Sequence, residues 1–78
     1  MSTGPVARAP MRLKVEIERE EDGRWIAEVP AIPGALAYGT TAAEARTNVV
    51  ALAFRVMAER IEHGEPIPRA AGNLFATV

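Results

Sequence analysis

The sequence predicts a small α+β domain of order β-β-β-α-β: an antiparallel three-stranded meander plus a short C-terminal strand, with one long helix packed on one face. Three observations carry that prediction. Apolar and polar residues alternate from Met11 to Glu20, Asp22-Gly23 supplies a hairpin turn, and apolar residues recur at helical spacing from Ala42 to Glu62 behind a capping sequence.

A chain of 78 residues builds one core, so residues 11–78 are expected to form a single domain behind a flexible leader, residues 1–10. The composition, 49% hydrophobic and 24% charged, is that of a folding chain rather than a disordered one. A lone core of this size supplies only about 3–5 kcal/mol. There is no cysteine to staple it. Association with a second copy or another protein is therefore the expected source of extra stability.

The missing cysteine also excludes disulfides, thiolate zinc sites and a cysteine nucleophile, and it fits a cytoplasmic protein. A net charge of −1 gives no overall attraction to nucleic acid or to an anionic membrane. No apolar run reaches the roughly 20 residues of a membrane span, and the N-terminal residues lack the apolar segment of a signal peptide. A soluble protein with no membrane partner is expected.

In "MRLKVEIERE", Leu13, Val15 and Ile17 share one face while Arg12, Lys14, Glu16 and Glu18 share the other, the pattern of a half-buried strand. Asp22-Gly23 turns the chain. The second strand, "RWIAEV", then places Trp25, Ala27 and Val29 on one side and Arg24, Ile26 and Glu28 on the other. Pro30 ends it because proline has no ladder donor, and Pro33-Gly34 forms a corner. A short strand from Ala35 to Tyr38 follows, closed by Gly39.

Thr41 and Glu44 have the S/T-x-x-E spacing of a capping box, in which each side chain satisfies a backbone donor of the other, so a helix starts at Ala42. It runs to about Glu62, with His63 in its last turn, Gly64 as the left-handed terminator, and Pro66 and Pro68 beyond. Ala45, Val49, Leu52, Ala53 and Val56 form a stripe for the sheet. Val50, Phe54, Met57 and Ile61 form a second stripe that calls for another surface: the tail, a second copy or a partner. Leu74 to Val78 reads as a short strand that pairs into the sheet.

The pieces Asp22-Gly23-Arg24-Trp25, Val29-Pro30-Ala31-Ile32-Pro33-Gly34, Gly39-Thr40-Thr41-Ala42-Ala43-Glu44-Ala45 and Gly64-Glu65-Pro66-Ile67-Pro68, in this order, resemble the N-terminal domain of the HicB family of antitoxin-like proteins. The resemblance runs from Leu13 to Pro68. It implies a partial ribonuclease-H-like sheet with one long helix, and a protein that blocks a small RNA-cleaving toxin of the HicA type. Each piece also has a structural use, as turn, strand end, cap or helix stop. Full-length HicB antitoxins carry a further C-terminal module for operator DNA that this chain does not match, so DNA binding is not expected of it. Ala35 stands where many of the family have cysteine.

No residue is assigned to catalysis. Glu16, Glu18, Asp22, Glu28 and Glu44 invite comparison with a two-metal nuclease. Strand alternation puts Glu16 and Glu18 on the wet face, however, while Asp22 serves the turn and Glu44 the cap. His63 has no evident partner for acid-base work and suits the negative end of the helix. One histidine and no cysteine offer no recognisable metal set, so neither metal nor cofactor is expected. Arg46, Arg55, Arg60 and Arg69 are dispersed among Glu59 and Glu62 and read as a solvated face, and Trp25 and Tyr38 read as packing residues rather than base platforms.

The functional expectation is an antitoxin-like protein-binding module without chemistry of its own, with Val50, Phe54, Met57 and Ile61 as the oligomer or partner interface. The alternative is a stand-alone homo-oligomeric structural or regulatory protein. A small nuclease or RNA-binding protein rests on fold analogy alone.

Overall fold

A computed structural model describes residues 12–75 and residue 77. The predicted leader, residues 1–10, lies outside that range. Three strands, β1 (Glu16–Arg19), β2 (Trp25–Glu28) and β3 (Leu36–Gly39), form one antiparallel sheet in the order β1-β2-β3. A long helix, α1 (Ala42–Glu62), and a short one, α2 (Arg69–Gly72), follow. The protein is thus an α+β domain built on a three-stranded meander and one long helix, as the sequence predicts.

The first hairpin takes its register from a three-residue loop. Glu20 N–H donates to Arg24 C=O at 2.7 Å and Gly23 N–H to Glu20 C=O at 2.9 Å, with Gly23 at φ 88°, the left-handed position such a loop requires. Asp22 fastens the loop by accepting from Arg24 N–H at 3.0 Å and Arg24 Nε at 2.7 Å. The second connection is a knot of short bonds: Val29 N–H to Ala35 C=O, Ile32 N–H to Val29 C=O and Ala35 N–H to Ile32 C=O, with Gly34 at φ 95°. It drives Ile32 into the core, 1% exposed. Full burial of such a side chain contributes about 1.5–3 kcal/mol. Arg60 ties the loop to the far end of α1 by donating from Nη2 to Pro33 C=O at 2.6 Å.

Helix α1 begins where the capping sequence places it. Glu44 N–H donates to Thr41 Oγ1 at 3.0 Å. The return bond differs from the reciprocal box: Glu44 Oε1 accepts from Thr40 N–H at 2.8 Å, one residue before the cap. At the other end His63 is the C-cap, its ring Nδ1 lies 2.8 Å from Glu59 C=O, and Gly64 at φ 71° turns the chain out of the helix.

The core lies between the helix and one face of the sheet. It contains Ala27, Val29, Ile32, Ala35, Ala45, Val49, Ala53, Met57 and Ala71, with Leu13, Val15, Trp25, Ala37, Val50, Val56 and Ile67 packed against it. Small residues predominate because the layers approach closely. At Gly39 a Cβ would lie 2.9 Å from Ala45 Cα.

The structure corrects three expectations. Strand β1 covers only Glu16–Arg19, and Leu13 and Val15 pack beneath α1 without joining the ladder. Met57 is 7% exposed and belongs to the core, whereas Leu52 is half-buried. The buried row Ala45, Val49, Ala53, Met57 advances four residues at a time and therefore winds around the helix, carrying burial from the sheet toward Ile67 and Ala71. Finally, no fourth strand forms among the described residues: Arg69–Gly72 is helical after Pro68, and Leu74 and Phe75 lie outside any element, 63% and 84% exposed. A short apolar run is compatible with either periodicity, and here the helical turn puts Ala71 on the core.

Candidate interaction surfaces

Two surfaces stand out, one apolar and one acidic. The apolar one is a groove of about 200 Å³ between the later turns of α1 and the C-terminal segment. Phe54, Ile61, Ile67, Leu74 and Phe75 line it, and Met57 forms its floor. Phe54 and Ile61 remain 57% and 59% exposed. Of the four residues expected at an interface, these two are therefore open to solvent, Val50 is half-buried and Met57 is buried. Sequence periodicity found Phe54 and Ile61, but it missed Leu74 and Phe75 because a strand was expected there.

The second surface is the face of the sheet turned away from α1. Pairing sets Glu16 opposite Glu28, Glu18 opposite Ile26, Ile26 opposite Tyr38, and Glu28 opposite Leu36. Glu16, Glu18, Glu20, Ile26 and Glu28 surround a depression of about 140 Å³. Lys14 Nζ approaches Glu16 at 3.3 Å, and Arg24 lies over the Tyr38 ring, 4.5 Å from its centre, while paired with Asp22 at 2.7 Å. Among the described residues, Glu18, Glu20 and Glu28 have no ion-pair partner.

Elsewhere the singled-out residues have structural partners. Asp22, Gly23, Gly34 and Gly64 form the turns already described, Thr41 and Glu44 form the cap, and Pro68 is the N-cap residue of α2. Pro30, Pro33 and Pro66 are exposed in the connections they terminate. Trp25 packs on the core with the Arg19 guanidinium 5.9 Å from its ring centre. The Asp22 carboxyl is held below its usual range, first by the Arg24 backbone N–H and then by the Arg24 side chain, against a desolvation effect in the other direction. Among the described residues no group of three or more histidine, cysteine, aspartate or glutamate side chains is placed to hold a metal ion, and no helix is long and apolar enough to cross a membrane.

The structure defines a small α+β protein with an open apolar groove and an open acidic sheet face. The chain is 40% identical over 60 residues to a UPF0150 protein of Thermoplasma acidophilum, an alignment that covers 76% of this chain and 86% of the relative. It belongs to the UPF0150 family. No family model and no solved structure matches it.

Proposed function

We propose that this UPF0150 protein is an antitoxin-type protein-binding module that neutralises a HicA-type RNA-cleaving toxin by covering its active site, and that it has no catalysis of its own. One observation carries the reading: the ordered series of turn, strand-end, cap and helix-stop motifs resembling HicB occupies, in three dimensions, the structural positions those motifs require. Gly23, Gly34 and Gly64 have positive φ, and Thr41 caps the helix. Of the five carboxylates that invite comparison with a nuclease, Asp22 is engaged in the turn and Glu44 in the cap.

The apolar groove favours a second reading beside the first. A homo-oligomer in which Phe54 and Ile61 are covered would bury side chains that are more than half exposed in the monomer, each worth about 1.5–3 kcal/mol when fully buried. A stand-alone oligomer without a toxin is the alternative function.

The test is to mix the purified chain with a HicA-type toxin whose catalytic histidine has been replaced, and to measure mass by sedimentation. A stable mixed complex is expected. Separate sedimentation of the two proteins at micromolar concentration would leave the homo-oligomer as the function.

A further inference from the structure

We propose that the open sheet face, centred on Glu18, Ile26 and Glu28, is the surface that receives the partner, and that the partner presents a basic patch there. The inference rests on the protein-binding reading above and assigns it a place and a chemistry.

The argument begins with the register. The bond from Glu20 N–H to Arg24 C=O fixes the phase of the β1–β2 ladder, and the pairing puts Glu16 directly across from Glu28. Like charges directly opposite on one sheet face are destabilising. Glu18 adds a third carboxylate on the same face, two residues along β1 from Glu16. Among the described residues Glu16 is paired with Lys14, Arg24 is held by Asp22, and Glu18 and Glu28 have no ion-pair partner. Lys14 thus offsets this repulsion at Glu16 alone, and Glu18 and Glu28 are left, among the described residues, without an opposite charge.

A cation supplied from outside would remove that cost. The depression of about 140 Å³ ringed by Glu16, Glu18, Glu20 and Glu28 has Ile26 beside it, and Leu36 and Tyr38, 41% and 42% exposed, continue the same face across β3. Carboxylates around an apolar strip suit a lysine or arginine whose alkyl stem lies along Ile26 while its charged head meets the acids. The same acids repel nucleic acid. Within the later turns of α1, Arg55 and Arg60 are interspersed with Glu59 and Glu62, so that stretch of a second copy offers mixed charge rather than a basic patch. An RNA-cleaving enzyme, by contrast, must carry lysines and arginines where it grips phosphates. The carboxylate face would occupy those cations in place of RNA.

The probe is a HicA-type toxin inactivated at its catalytic histidine, titrated calorimetrically against the full chain at low and at moderate salt, with hen lysozyme as a generic basic protein. Three forms of the chain are compared: wild type, Glu18→Lys with Glu28→Lys, and Glu59→Lys with Glu62→Lys, which makes the same change of net charge on α1. Wild type should bind the toxin more weakly as salt rises, and lysozyme no better than the α1 variant does. The sheet variant should lose about tenfold or more in affinity and the α1 variant about twofold or less. Equal losses in both variants, or an unaffected sheet variant, would overturn the proposal while leaving the protein-binding reading intact. Failure of wild type to bind would overturn that reading itself. Thermal melting of free Glu28→Gln supplies a partner-independent arm: an unchanged or higher midpoint is expected, and a clear fall would show that the carboxylate serves the fold and would overturn the proposal.

Discussion

Gly39 lies directly beneath Ala45, so close that a Cβ built on the glycine would stand 2.9 Å from the Ala45 Cα and also 2.9 Å from the Glu44 carbonyl carbon. Both obstacles are backbone, which cannot rotate aside. Gly39→Ala must therefore push the first turn of α1 off β3, and over-packing of this kind costs about 1–3 kcal/mol, a large share of a small domain's stability. Urea unfolding should show a lower midpoint. An Ala substitution at Gly72, where nothing lies within 4 Å, should leave it nearly unchanged.

The helix start gives a second prediction. Thr41→Ala removes the acceptor for Glu44 N–H and should cost about 0.5–2 kcal/mol. Glu44→Ala removes the acceptor for Thr40 N–H and should cost less, since that group is exposed and water replaces the bond. Equal midpoints for wild type and Thr41→Ala would contradict the cap.

The hairpin loop should give the protein a small acid sensitivity. Arg24 lowers the folded-state pKa of Asp22 below its ordinary value of 3.8, so the ionised form stabilises the fold. That contribution is fully present above the unfolded-state value and fades as pH falls through the lower folded-state value. Asp22→Asn should remove this component of the stability profile below about pH 4 while leaving its shape near neutrality unchanged. Identical acid limbs in wild type and Asp22→Asn would contradict the role.

Phe54 tests self-association. It is 57% exposed at the rim of the apolar groove, beside Ile61 and Phe75. Sedimentation should find wild type as a dimer or larger species, Phe54→Glu as a folded monomer, and Arg55→Glu, on the polar side, as wild type. A wild-type monomer whose mass Phe54→Glu leaves unchanged would remove the oligomer from the account.

The sequence discloses those parts of this fold that local chemistry decides. The bounds of α1 follow from Thr41, Glu44 and Gly64, because caps and left-handed glycines act within one turn. The burial of Ile32 was not legible, since it depends on three backbone bonds in the Val29–Ala35 connection, and neither was the clamp from Arg60 to Pro33, made across 27 residues. A straight helical wheel puts Met57 on the outer stripe, whereas the buried row Ala45, Val49, Ala53, Met57 winds around α1 and takes it into the core. Leu74 and Phe75 read as strand because they are apolar and brief, whereas the preceding residues gain more from turning Ala71 onto the core. The acidic residues were visible in the alternation. Their opposition, Glu16 to Glu28, emerged only with the register.

The measurement that tests the central claim most directly is toxin-catalysed RNA cleavage at increasing ratios of this protein to an active HicA-type toxin, with the protein alone as control. The account predicts that cleavage falls to background near one binding site per toxin molecule and that the protein alone leaves the RNA intact with Mg²⁺ or Mn²⁺. Undiminished cleavage at a large molar excess, or metal-dependent cleavage by the protein itself that disappears in Glu16→Gln or Glu18→Gln, would contradict it.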